Sequence, residues 1–115
     1  MFKFMQSPAY WWPATIKIPA EDDPGKMLVL SFEVQFKRET ATEQQTRLDA
    51  NRAAQQSDAT YVRPLIVGFR KLLADDDTEV PFNADSLTEL LDVPGAGTAL
   101  ARAYFESNSE AAAKN

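Results

Sequence analysis

Two acidic clusters are the first places where this chain could do chemistry. Glu21, Asp22 and Asp23 stand side by side, as do Asp75, Asp76 and Asp77, and hard cations take oxygen ligands of this kind. Neither cluster has the signature of a calcium loop. The second lacks the loop glycine and the spaced ligands of an EF-hand, so solvated loop charge accounts for both. Gly95 and Gly97 do not form a phosphate loop, because no Lys-Ser or Lys-Thr follows them and no strand pattern precedes them; helix-start geometry explains them better. The chain has no histidine and no cysteine, which removes the commonest general base, the thiol nucleophile and the usual zinc ligands. We therefore expect no catalytic, cofactor-binding or metal-binding residues, and a protein that is not an enzyme.

The residues with a functional flavour are aromatic. Phe2, Phe4, Tyr10, Trp11 and Trp12 fall within twelve positions. Aromatic rings bury the most area, so one or both tryptophans can serve by covering the end of a small core. Left exposed, they would make a contact surface of the kind in which tryptophan and tyrosine are enriched. Tyr10, Trp11 and Trp12 are the candidate partner-binding residues, together with Leu48, whose reason lies in the helix that carries it.

The elements that position these residues can be read from periodicity. Ala14, Ile16 and Ile18 alternate with Thr15 and Lys17, and Leu28, Leu30, Phe32, Val34 and Phe36 alternate more strongly, which is the period of half-buried strands. Pro19 to Lys26 between them contains Pro24 and Gly25 and reads as a turn, giving an antiparallel hairpin. Thr40 and Glu43 have capping-box spacing and predict a helix through Gln56, in which Leu48 is the only large aliphatic. Such a helix has little apolar area to anchor it and suits a role in partner contact. After Pro64, the spacing of Leu65, Ile66, Phe69, Leu72 and Leu73 predicts a core helix. Asn83 is placed to cap another, with Leu87, Leu90 and Leu91 on one face. Pro94 starts a last helix whose inner face is Ala96, Ala99, Leu100, Ala103 and Tyr104.

The predicted fold class is α+β, mainly α: a small N-terminal antiparallel β-hairpin packed with three to four helices. Residues 1–106 form a single globular domain in which residues 1–10 are the part freest to flex, and residues 107–115 form a flexible C-terminal tail. The expected core holds Ile16, Ile18, Leu30, Phe32, Val34, Leu65, Phe69, Leu72, Leu87, Leu91 and Leu100. Met1 to Trp12 has no apolar stretch or cleavage site of an export signal, and no window approaches the apolar length of a membrane span. With no cysteine, nothing points to an oxidising compartment, so cytoplasmic location is the expectation. A net charge of -5 repels a phosphate backbone, so neither nucleic acid nor membrane is an expected partner.

Several of these segments together resemble a known family. Trp12-Pro-Ala-Thr-Ile-Lys-Ile-Pro19 is followed by Val67-Gly68-Phe69, Val80-Pro81-Phe82-Asn83, Leu87, Leu90-Leu91-Asp92, Pro94-Gly95, Ala99-Leu100 and Ala103-Tyr104-Phe105. In order and spacing this resembles the tail assembly chaperones of long-tailed, siphovirus-type bacteriophages and prophages. Phe69 stands where that family's pattern has tryptophan, and the Asp-rich segment lacks the glycine often found before the Pro-Phe. The resemblance implies a chaperone that binds the tape-measure protein and keeps it soluble during tail morphogenesis. It also implies residence in the host cytoplasm and absence from the mature virion; self-association is a separate expectation, from the aromatic excess beside a helix with few apolar anchors. A small structural tail or connector protein is the alternative. Family members are commonly made in two lengths by a minus-one ribosomal frameshift. Ala113, Lys114 and Asn115 can be encoded as GCA AAA AAC, which contains a slippery heptamer; a longer, frameshifted form would recruit the tail-tube protein.

Overall fold

The structure is a computed structural model that describes residues 7–74 and 76–109. Phe2 and Phe4, Asp75 of the second acidic cluster, and Ala113 to Asn115 of the frameshift reading lie outside the described residues.

Eleven-residue strands β1 (Ala9–Pro19) and β2 (Met27–Lys37) pair antiparallel along their whole length, from Ala9↔Lys37 to Pro19↔Met27. Their turn holds Gly25 at a φ of 86°, a left-handed conformation that favours glycine. Even-numbered residues of both strands face the core and odd-numbered ones face away, so Ala14, Ile16, Phe32, Val34 and Phe36 are buried in one layer. Next comes α1 (Ala41–Ala54), capped at Thr40 by the reciprocal bonds with Glu43 that the sequence predicts.

The segment after Pro64 departs from expectation. It is not a helix: α2 (Asp58–Val62) and a single 3₁₀ turn (Arg63–Leu65) lead into strand β3 (Ile66–Arg70), which pairs antiparallel with β2. Ile66, Val67 and Phe69 favour an extended backbone, and β2 offers an unpaired edge that satisfies the amides of β3. Gly68 sits opposite Gln35, where an added Cβ would lie 3.0 Å from the Gln35 side-chain oxygen. The sheet is therefore three-stranded, in the order β1-β2-β3. With 41% helix and 28% strand the chain is an α+β domain, and the mainly-α description is too strong.

Asn83 caps α3 (Ala84–Leu91) through a reciprocal pair of bonds with Ser86. Gly95, at a φ of 85°, is the N-cap of α4 (Ala96–Ser107), and Pro94 precedes the cap instead of opening the helix. α4 packs against β1, α2 and α3 on one face of the sheet, with Ala96, Leu100, Ala103 and Tyr104 buried. Eight of the expected core residues are buried. The other three, Ile18, Leu30 and Leu91, only partly cover the core because they stand at its margins.

Candidate protein-binding surface

The alternation of β1 separates the aromatic candidates. Tyr10 and Trp12 turn toward the helices and Trp11 turns to the opposite face, so no common patch includes all three. Tyr10 is held in place at several points. Its ring lies 6.1 Å from that of Phe36, with the Arg38 guanidinium 4.8 Å from the ring centre on the Tyr10 side. Its hydroxyl shares a 2.6 Å hydrogen bond with Ser107 and accepts one of 3.1 Å from the Asn108 amide. These bonds fasten the end of α4 to the start of β1, where the sequence places a flexible segment meeting a flexible tail. Trp12 packs partly against the core and borders a groove with Ala99, Arg102 and Glu106 between β1 and α4.

Leu48 lies apart from the aromatic residues, on α1. It packs partly on the core, while no residue of α1 is fully buried. Polar contacts do much of the docking. Glu39, just before the helix, accepts 2.9 Å bonds from Arg47 Nε and from the Tyr104 hydroxyl. Burial and the neighbouring Glu39 carboxylate both push the Tyr104 pKa far above its ordinary value, so its hydroxyl stays a donor. Burial likewise raises the Tyr61 pKa. The Tyr61 hydroxyl and Asn51 Oδ1 are buried without a hydrogen-bond partner among the described residues.

Trp11 is the member of the set that faces solvent. It is 37% exposed, on the sheet face opposite the helices. Arg70 of β3 lies over the indole at 4.0 Å from the ring centre, reaching across β2. The same Arg70 donates to Glu33, and Lys71 Nζ stands 3.5 Å from that carboxylate. The hydrogen bond from Arg70 holds the Glu33 carboxyl below its ordinary range. Trp11, Gln35, Glu33 and Arg70 thus form an ordered amphipathic face with a flat indole at one side.

A second exposed apolar region escaped the sequence reading. Met27, Leu28 and Val29 are 51%, 51% and 55% exposed, and Leu73 is 50% exposed. The hairpin runs on beyond the helices, so Leu28, assigned by alternation to a buried face, has no helix above it. The signal was present in Met27-Leu28-Val29-Leu30, an unbroken apolar run where a half-buried strand should alternate.

The acidic residues serve their turns. Asp23 pairs with Lys26 at 3.1 Å, and Asp76 accepts from the Thr78 amide and hydroxyl, which lowers its pKa. Among the described residues no group of three or more His, Cys, Asp or Glu side chains is arranged to hold a metal ion, and no helix is long and apolar enough to cross a membrane. Comparison with protein-family models, curated proteins and solved structures finds no match. The surface geometry and the resemblance of the sequence segments therefore carry the functional reading.

Proposed function

We propose that this chain is a phage tail assembly chaperone whose outer sheet face binds apolar stripes of the tape-measure protein and keeps that long helical polypeptide soluble. The observation that supports this is the Trp11 face. The Arg70 guanidinium lies over an indole on a sheet layer that no helix among the described residues covers. A preordered aromatic with polar neighbours suits an amphipathic helix, because the ring loses little freedom on binding and the charges can pair at the rim. The net charge of -5 would keep a coated complex in solution. Many copies along one polypeptide would act together, so weak individual contacts suffice and arriving tube protein can displace them.

The segments that carry the resemblance mostly build the body of the protein. Phe69 packs edge-on to Phe32 and Phe82, Asn83 caps α3, and Tyr104 packs edge-on to Phe36. These residues are occupied in packing and capping, so the contact residues are sought on the open face.

The test is co-expression with the tape-measure polypeptide. The chaperone should hold that polypeptide in the soluble fraction, and Trp11→Ala should release it to the pellet while the variant itself stays folded. Mass spectrometry of purified particles should find no copies of the chain. Stoichiometric copies in the virion would instead identify a structural tail or connector protein, and unchanged solubilisation by folded Trp11→Ala would remove the site from this face.

A further inference from the structure

Two open stretches of backbone edge on this sheet, the outer side of β1 and the part of β2 that β3 does not cover, differ in chemistry. The bonds Ala20 N–H to Lys26 O and Arg38 N–H to Pro8 O fix the phase of the β1–β2 ladder: even-numbered residues bond across it, and odd-numbered residues point their amides and carbonyls outward. On the outer edge of β1, two of the outward positions are Pro13 and Pro19, which have no N–H to offer. That edge is blocked in the way natural sheets block theirs.

On the far side of β2 the situation is reversed. β3 pairs only with Glu33 to Phe36, and Lys71, at a φ of 64°, turns the chain away from the strand. The outward backbone groups of Met27, Val29 and Ser31 meet no strand or bridge among the described residues. No proline or charged residue interrupts this stretch, and it carries three of the most exposed large apolar side chains among the described residues. An open groove of about 360 Å³ runs beside it, bordered by Val29, Ser31, Lys71, Leu73 and Asp77.

We propose that this edge pairs with the same edge of a second copy, forming a two-fold dimer through antiparallel strands centred on Val29. Such pairing is self-complementary. It sets outward-pointing odd residues against odd residues, as antiparallel hydrogen bonding requires, and lays each aliphatic run on the other. It also carries the acidic hairpin tip of each copy, Glu21 to Asp23, toward the end of the other's β3, where Arg70 and Lys71 stand. Among the described residues of one chain that tip has a single ion pair, Asp23 with Lys26. The complementarity of charge and of backbone groups selects a second copy over an unrelated strand. The inference stands apart from the Trp11 face, which lies on the surface of the sheet and not along its edge.

The experiment is sedimentation equilibrium over a concentration series, with amide hydrogen exchange on the same samples. The wild-type chain should be a dimer whose Val29 and Ser31 amides gain protection as concentration rises. Val29→Lys puts like charges opposite each other across the axis and should weaken dimerisation about tenfold or more. Val29→Pro removes an outward N–H that no strand within the chain uses, and should weaken it similarly. Both variants should keep the wild-type circular dichroism spectrum as monomers; should Val29→Pro disturb the hairpin, Val29→Lys alone carries the comparison. A wild-type chain that stays monomeric up to about 1 mM overturns the proposal. So does a dimer that survives Val29→Lys, or edge amides that become protected only when a different polypeptide is added.

Discussion

The guanidinium of Arg70 lies 4.0 Å from the ring centre of Trp11, although the two residues belong to the opposite outer strands of the sheet. The contact spans β2 at Gln35, and Gly68 lies beside it: a Cβ there would crowd the Gln35 side-chain oxygen at 3.0 Å and meet the indole at an ordinary contact distance of 3.7 Å. Arg70 also donates to Glu33, so a cation on the outer face is shared between a ring and a carboxylate. This network fixes the one exposed tryptophan.

Trp11 and Trp12 should therefore behave differently when truncated. Trp11→Ala removes an exposed ring and one cation–π contact, and should cost no more than about 1 kcal/mol. Trp12→Ala removes a ring partly packed on the core and should cost about 1–3 kcal/mol, less than a fully buried tryptophan. Urea midpoints of the two single variants test this. Equal midpoints would mean that the two rings do not face opposite sides. A combined Trp11/Trp12 truncation would confuse binding with stability, so the single variants are the informative ones.

Phe69→Ala and Leu91→Ala should likewise separate. Phe69 is buried between Phe32 and Phe82, and its truncation leaves a cavity in the middle of the aromatic cluster, worth about 3–5 kcal/mol. Leu91 stands at the margin of the core and should cost about 1–2 kcal/mol, because water already reaches part of the side chain. A Leu91→Ala variant as unstable as Phe69→Ala would place Leu91 deeper than its position at the end of α3 allows.

Local signals in the sequence were legible, and signals that depend on distant partners were not. Thr40 with Glu43 and Asn83 ahead of α3 announce helix starts because a cap is completed within three residues. The period of two through Leu28 to Phe36 announces β2 for the same reason. By contrast Leu65, Ile66, Phe69, Leu72 and Leu73 mimic helical spacing, and the strand they contain is decided by pairing with β2, some thirty residues earlier. The placement of the candidate site was half legible. Extending the alternation of Ile16 and Ala14 back through Pro13 puts Trp12 inside and Trp11 outside, but the cation over Trp11 comes from β3, which the helical spacing concealed.

Gly97→Ala tests a contact that composition alone misjudges. In an exposed helix interior this change stabilises by about 1 kcal/mol, because alanine restricts the unfolded chain and favours the helix. Here the added Cβ would lie 2.8 Å from the backbone nitrogen of Ala59 and 2.9 Å from its Cα, where α4 crosses α2. Backbone cannot step aside as a flexible side chain can, so the helices must separate, and the expected net effect is a loss of about 1–3 kcal/mol. A thermal melt decides the sign. A rise in midpoint for Gly97→Ala would mean that the two helices are not in contact there.

The capping box of α1 should make that helix sensitive to acid before the sheet is. Glu43 accepts a 2.9 Å hydrogen bond from the Thr40 amide, and this bond holds its pKa below the ordinary 4.5. A carboxyl whose pKa is lower in the folded state stabilises the fold above its unfolded value, and that contribution disappears as pH falls through the folded value. α1 has no fully buried residue to hold it once the cap weakens. Glu33 and Asp76 also have lowered pKa values, but they lie in the sheet and in the turn after β3, so a global unfolding curve would mix the three. The readout should be local: amide exchange within Ala41 to Ala54 should quicken as pH is taken from neutral to about 3, after correction for intrinsic exchange. Glu43→Gln keeps an acceptor at the same position but cannot titrate, and should flatten most of that dependence. Equal acid sensitivity of α1 in the wild-type and Glu43→Gln proteins would show that the cap is not what holds the helix.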